Sequence, residues 1–229
     1  MAKKKLCKAR LVTKLEALFK GLEIEVIDDV VAEAKKRVSA VKERLFDSQI
    51  ETLKSRGCPK IILELLQNQR DAVLSKAAEM DSEGIPFVPV IPRTYLSIYG
   101  LMHMVRNKNK AGYTDLNPTK IINEVETPKC PYFIYDVEDG KHMLGKSPKE
   151  AEVFIVKQKR SCLTVEETIA LCIHTKILSE HYIDCTGSRY EDPSYVPHIF
   201  LANGKPKLTW SMVDNSDDVW GSASCRSRA

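Results

Sequence analysis

Three prolines interrupt an apolar segment that ends the first third of the chain, in the run S-E-G-I-P-F-V-P-V-I-P at residues 82–92. Because proline lacks a backbone N–H and has a fixed φ, this run excludes a helix and a central strand. The apolar residues between the prolines are too numerous for a solvated linker. We therefore predict an extended segment packed along a second domain. The predicted organisation is a helical region at 1–81, a connector at 82–92 and a mixed domain at 93–229.

Apolar residues recur at helical spacing through the region before the connector. Residues 11–22 and 60–80 each predict an amphipathic helix. Between them, apolar residues step by three and four from Ile24 to Leu45, which is the a and d pattern of a coiled-coil seam. The pattern weakens at Ser48 and Thr52, the next two seam positions. This seam predicts either an intramolecular helical hairpin or a contact with a protein partner or a second copy.

The domain after the connector shows signals for both helices and strands. Tyr132 to Val137 is a short apolar run typical of a strand. S-P-K-E from Ser147 and T-V-E-E from Thr164 are capping boxes, which begin helices. Asn203-Gly204 indicates a hairpin, because both residues tolerate positive φ. Helices first and antiparallel strands last predict an α+β fold, in which an all-helical region precedes a mixed domain with a mainly antiparallel sheet.

The P-loop pattern G-x-x-x-x-G-K-[ST] occurs at Gly140, Gly145, Lys146 and Ser147. In a working P-loop the serine hydroxyl lies inside the first helical turn and holds magnesium, whereas the capping box places Ser147 outside the helix. Two carboxylates just before Gly140 would also repel phosphate. The preferred interpretation is a strand, a glycine-rich connection and a capped helix. A P-loop-like nucleotide-binding enzyme is the alternative.

Composition narrows the class of protein. The chain is 43% hydrophobic, and its longest apolar runs are too short for a membrane span. Its amino terminus, M-A-K-K-K-L-C-K-A-R, lacks the apolar stretch of a signal peptide, so we expect a cytoplasmic location. The seven cysteines show no C-x-x-C pair and are expected to be reduced thiols. Cys172 and His174 lack the spacing of a zinc site, and neither a metal nor a cofactor is predicted.

Positive charge is concentrated near the amino terminus. Residues 1–60 carry 15 Lys and Arg against 9 Asp and Glu, and six of these bases precede the first acid, Glu16. Such an arm favours nucleic-acid binding as a second alternative function. The preferred interpretation is a solvated terminus, because no aromatic residue is interleaved there to stack on bases.

Several short runs from residue 85 onward form a specific series: I-P-F-V-P-V-I-P at 85–92, P-Y-F-I at 131–134, L-T-V-E-E-T-I-A-L at 163–171, G-S-R at 187–189, P-K-L at 206–208 and W-G-S-A-S-C at 220–225. Together they resemble an uncharacterised bacterial family, a domain of unknown function. The resemblance implies no activity, cofactor or catalytic residue.

The same runs bring hydroxyl residues, glycine and arginine together, as an anion or carboxylate site requires. The candidate ligand-binding residues are Ser188, Arg189, Trp220, Ser224 and Arg226. The competing interpretation is that Trp220 anchors a polar tail while its neighbours make turns and surface contacts.

Catalytic residues cannot be assigned from the sequence. There is no G-x-S-x-G or H-E-x-x-H, and of the candidate acids only Asp184 lies outside the polar loop at 214–218. The sequence therefore predicts a cytosolic binding or protein-interaction module with a small anionic ligand site rather than an enzyme.

Overall fold

The computed structural model describes residues 25–80 and 84–229, with side chains from residue 31. The predicted helix at 11–22 and the basic amino terminus lie outside these residues. The helices are α1 (Glu25–Ser55), α2 (Lys60–Gln67), α3 (Arg70–Glu79), α4 (Ile98–Met104), α5 (Pro148–Lys157) and α6 (Val165–His174). None of the helices in the described ranges has the length and apolar character needed to cross a membrane.

Strands follow the third helix and alternate with α4 to α6. They are β1 (Ile85–Val90), β2 (Arg106–Asn107), β3 (Lys110–Ala111), β4 (Tyr113–Thr114), β5 (Ile121–Asn123), β6 (Tyr132–Val137), β7 (Ser161–Cys162), β8 (Tyr182–Asp184), β9 (Ser188–Tyr190), β10 (Tyr195–Ala202), β11 (Lys205–Met212), β12 (Trp220–Ser222), β13 (Ser224–Cys225) and β14 (Ser227–Arg228). Helices first and mainly antiparallel sheets afterwards confirm the α+β prediction.

One face of α1 packs against the two short helices that follow it. The buried positions on this face are Lys42, Phe46, Gln49, Ile50 and Leu53. Lys42, Phe46, Gln49 and Leu53 keep the steps of four and three, but each lies one residue after a position of the predicted seam, which explains why Ser48 and Thr52 fall on the seam. The two polar members bond to the chain opposite them, since Lys42 Nζ donates to the carbonyl of Ala77 and Gln49 Nε2 donates to that of Phe87.

The proline-rich segment forms β1, an edge strand. β1 pairs antiparallel with β6, which lies between β1 and β14. An edge strand tolerates Pro86 and Pro89 because one side of it needs no ladder hydrogen bonds. The predicted extended conformation is therefore found from Ile85 to Val90, and residues 82–83 of the segment lie outside the described residues.

Three phenylalanines join the helices to this sheet. Phe46 of α1 stacks on Phe133 of β6 with ring centroids 5.6 Å apart, and Phe87 of β1 meets Phe133 edge-on at 6.1 Å. One cluster of buried hydrophobic residues continues from α1 to Cys225. The division at 82–92 stays a prediction, and both sides of it contribute to this shared cluster.

A five-stranded sheet with the order β12-β8-β10-β11-β4 forms the other main layer. Asn203 (φ 52°) and Gly204 (φ 73°) connect β10 to β11, which confirms the predicted hairpin. Ile183, Ile199 and Leu208 of this sheet are fully buried in the shared cluster. We call the opposite side of the sheet the outer face.

Candidate functional site

The loop from Gly140 to Ser147 has the geometry of a helix cap. Ser147 Oγ accepts a hydrogen bond from the backbone N–H of Glu150 at 3.3 Å, and the Glu150 carboxylate accepts one from the Ser147 N–H at 2.9 Å. This is the predicted capping box, and it places the hydroxyl before the first turn of α5. Lys146 Nζ lies 5.6 Å from the ring centroid of Phe154.

The strand before this loop also differs from that of a P-loop. β6 has antiparallel neighbours on both sides, whereas a P-loop strand belongs to a parallel sheet. Gly140 has φ 89°, and a Cβ there would lie 2.9–3.0 Å from the backbone of Ser222 and Ala223. The glycine thus permits close packing of the loop against β12. Residues 140–147 lack the geometry that a P-loop requires, and we propose no nucleotide site there.

Ser188 and Arg189, two of the predicted ligand residues, are engaged within the protein. Ser188 Oγ donates to Asn123 Oδ1 at 2.7 Å and accepts from the Val165 N–H at 3.0 Å. Arg189 donates to the Glu152 carboxylate and to three backbone carbonyl groups. These bonds connect β9 to α5 and to the start of α6.

Ser224 and Arg226 belong to a different network, centred on Asp136. Arg160 donates to Ser224 Oγ and to Asp136 Oδ2, both at 2.8 Å. Arg226 Nε donates to the same Asp136 oxygen at 2.9 Å. Both predicted arginines therefore already neutralise carboxylates.

Trp220 lies apart from both networks, on the outer face. Its ring centroid is 4.2 Å from that of His198, 5.1 Å from that of Tyr182 and 6.0 Å from that of Phe200. The five predicted residues thus divide into three groups with separate partners. That they bind one anion stays a prediction.

A polar row crosses the outer face next to these rings. Asp184 of β8 is paired in register with Ser222 of β12 on one side and with His198 of β10 on the other. Paired residues on neighbouring strands project from the same face, so the three side chains form one row. Ile183 and Ile199, each one residue away, project into the core.

Two members of this row are buried without partners. Asp184 is 3% exposed and Ser222 is 2% exposed. Ser222 Oγ has no hydrogen-bond partner, and within residues 25–80 and 84–229 no hydrogen bond or ion pair reaches the Asp184 carboxylate. Burial raises the pKa of Asp184 to about 7. An unpaired buried carboxyl favours its neutral form because the charged form loses hydration.

His198, the third member, is neutral near pH 7. Burial, and after it the charge of Lys207, lowers the pKa of His198 to about 4. Its Nδ1 lies 3.1 Å from Ser211 Oγ. The histidine therefore supplies no positive charge to the neighbouring Asp184.

A family model, described as a family of unknown function (DUF5701), matches residues 47–229. The chain belongs to this family. The match confirms the resemblance predicted from residue 85 onward and extends it into α1. No curated protein and no solved structure matches the chain.

The DUF5701 region also holds a basic group at three helix ends. Arg56 follows α1, Arg106 follows α4 and His174 ends α6. Arg56 donates to the carbonyl of Met104 at 2.8 Å, and burial, followed by the charge of Arg106, lowers the pKa of Arg56. Both ring nitrogens of His174 are buried without hydrogen-bond partners. Burial, and after it the charge of Arg56, lowers the pKa of His174 to about 3.

The position of these basic side chains is explained by the helix ends beside them. The carboxyl end of a helix carries partial negative charge, which stabilises basic side chains and repels anions. Arg56 and Arg106 form no ion pair with a carboxylate in the described part of the chain, but the Met104 carbonyl at the end of α4 accepts a hydrogen bond from Arg56. The outer face has no comparable compensation for Asp184. It is therefore the stronger candidate site of the DUF5701 region.

The described residues hold no group of three His, Cys, Asp or Glu side chains that could bind a metal. From the sequence, Asp184 was a candidate catalytic acid and Trp220 a candidate ligand-binding residue, but the two were not placed in one site. Their proximity depends on the register of β8, β10 and β12. The available signal was the alternation H-Y-I-D before a turn, which places Tyr182 and Asp184 on one side of a strand.

Proposed function

We propose that the chain is a binding protein for a small molecule that lies on the outer face of the five-stranded sheet. Its platform is Trp220, Tyr182 and Phe200, and its polar anchor is Asp184 with Ser222. The supporting observation is the pair of buried, unpartnered polar side chains next to partly exposed rings. A few polar groups beside aromatic walls are typical of ligand sites.

The energetic cost of burying polar groups without hydrogen bonds is the physical reason why this row is a candidate binding site. A polar group that is buried without a hydrogen bond costs about 1–3 kcal/mol, and more when it is charged. Ser222 Oγ is in this condition, and beside it lies the Asp184 carboxyl, which is 3% exposed and receives no hydrogen bond from the described residues. A ligand that donates hydrogen bonds to both relieves the cost, which makes binding favourable.

The lowered pKa of His198 favours a binding function over a catalytic one. The contact between Ser211 Oγ and His198 Nδ1 resembles a nucleophile and its base, and Asp184 lies on the other side of the histidine. A general base works best when its pKa lies near the working pH. With a pKa of about 4, His198 is a poor base at neutral pH.

This proposal keeps the predicted class of binding module and changes the site. Of the five predicted ligand residues, only Trp220 belongs to the outer face. A contact with a protein partner or a second copy through Ile24–Leu45 remains a separate proposal.

The test uses three ring compounds of similar size: benzylamine, benzyl alcohol and benzoate. Saturation-transfer NMR would measure their binding to wild type, Trp220→Ala and Trp210→Ala. Trp210 is the matched control, because it is 40% exposed on β11 and packs instead against Tyr190 and Tyr195. We expect Trp220→Ala to lose binding of at least one compound that Trp210→Ala keeps.

Circular dichroism establishes that both tryptophan variants are folded, and Phe200→Ala provides a second test of the platform. Binding that Trp220→Ala and Phe200→Ala both retain in full would contradict the proposal, as would the absence of saturable binding for all three compounds.

A further inference from the structure

The charges around Asp184 decide what kind of ligand the outer face accepts. The ionisable side chains on the elements that pack against its row are His198 of β10, Lys205 and Lys207 of β11, Lys141 and His142 of the turn beside β12, and Lys149, Glu150, Glu152 and Lys157 of α5. Three lysines among them already pair with other acids: Lys207 with Asp115, Lys141 with Glu180 and Lys149 with Asp214. Glu152 pairs with Arg189. None of them is a counter-ion for Asp184.

The aromatic rings beside Asp184 also favour a cationic ligand. The face of an aromatic ring carries partial negative charge and attracts cations, most strongly for tryptophan. Trp220, Tyr182 and Phe200 are partly exposed and lie within 6.0 Å of one another, centroid to centroid. A buried acid and three rings therefore attract the same kind of ligand, and they repel an anion.

We infer that the outer face binds a small organic cation, with its ammonium nitrogen at Asp184 and its apolar body on Trp220, Tyr182 and Phe200. This inference rests on the proposed function and names the ligand class for that site. A primary ammonium has three N–H donors and no acceptor. It satisfies the Asp184 carboxylate and Ser222 Oγ together, which a benzoate-like anion cannot do.

The inferred ligand makes binding depend on pH in one direction. A cation binds the ionised form of Asp184, and the free protein holds this carboxyl with a pKa of about 7. Affinity should therefore rise as the pH increases from about 6 to about 8 and then level off. His198 does not contribute to this pH dependence, because it is already neutral between about pH 6 and about pH 8.

The experiment compares the same three compounds by isothermal titration calorimetry on wild type and Asp184→Asn. Asparagine keeps the size of the side chain and removes its charge. Asp214→Asn is the control, since Asp214 is an exposed acid that pairs with Lys149. We expect wild type to bind benzylamine about tenfold more tightly than benzyl alcohol, because an ion pair and cation–π contacts are added. Benzoate should bind most weakly.

Asp184→Asn should lose both the preference for benzylamine and its pH dependence, whereas Asp214→Asn should keep both. Equal binding of all three compounds to wild type would overturn the inference and leave the proposed site in place. A preference for benzylamine that persists in Asp184→Asn would also overturn it. If Trp220→Ala abolishes binding without any charge preference in wild type, the small-molecule site stands and only the ligand class is wrong.

Discussion

Arg228 holds Glu167 in a two-point ion pair. Arg228 Nε donates to Glu167 Oε1 at 2.6 Å, and Nη2 donates to Oε2 at 2.9 Å. Glu167 is fully buried in the first turn of α6, where its carboxylate also accepts the N–H of Thr164 at 2.9 Å. Tyr132 Oη donates to the same carboxylate. Strand β14, at the end of the chain, is thus fastened to a helix in the core.

Arg228→Gln should destabilise the protein strongly. Without the guanidinium, Glu167 stays buried with no opposite charge, and breaking a buried pair in this way costs about 3–5 kcal/mol. Urea unfolding followed by circular dichroism measures the loss. Arg37→Gln is the control, because Arg37 pairs with Glu33 on the exposed side of α1 and should change stability by less than about 1 kcal/mol. Losses of equal size in the two variants would contradict this prediction.

Ser147→Ala should destabilise the protein by about 1 kcal/mol, the usual cost of removing an N-cap hydroxyl. Lys146→Ala should have a smaller effect, because its described contact is with the partly exposed ring of Phe154. Thermal unfolding gives both values. We expect no ATP binding by wild type or either variant, and ATP affinity that is lost in Lys146→Ala would revive the P-loop interpretation.

Asp184→Asn should stabilise the protein more at pH 8 than at pH 5. The folded pKa of about 7 lies above the ordinary value of 3.8, so the folded state binds the proton more tightly than the unfolded state does. Wild-type stability contributed by this group is therefore fully present below the ordinary pKa of 3.8, is lost as the pH rises from there to about 7, and does not change further above it. Between pH 5 and pH 8 the difference should be about 3 kcal/mol, from the roughly two pH units that separate pH 5 from the folded pKa. Urea unfolding of both proteins across this range measures it, and a difference that does not vary with pH would contradict the expected burial effect.

Val41→Glu tests the proposed contact through α1. Val41 belongs to the predicted seam and is 50% exposed, whereas Phe46, in the next turn, is fully packed. If a second copy covers the seam, the new carboxylate should convert a dimer into a monomer in size-exclusion chromatography with light scattering. Glu33→Gln controls for a change of charge on the same helix. A wild type that is monomeric at all concentrations would remove the self-association proposal.

Local signals were reliable where a few neighbouring residues satisfy one another. The capping boxes at Ser147 and Thr164 form as predicted, because each needs only a side chain and a backbone N–H three residues apart. Elements that depend on distant contacts were predicted less well.

The prediction of a single helix at 60–80 was wrong. The structure has two helices there, and Gln69 between them donates to the carbonyl of Pro131 at 2.8 Å. Asn117 and Pro118, which form a helix cap and a first-turn proline, begin only a short turn before β5, which pairs with β9.

The order of helices and strands, the extended conformation of the proline-rich segment and the hairpin at Asn203 could all be read from the sequence, because period, proline and turn chemistry act over a few residues. The candidate site could not. Asp184, His198 and Ser222 lie far apart along the chain and become neighbours through strand register. The unusual pKa of Asp184 arises from burial, which is a property of packed neighbours and therefore exists only once the chain has folded.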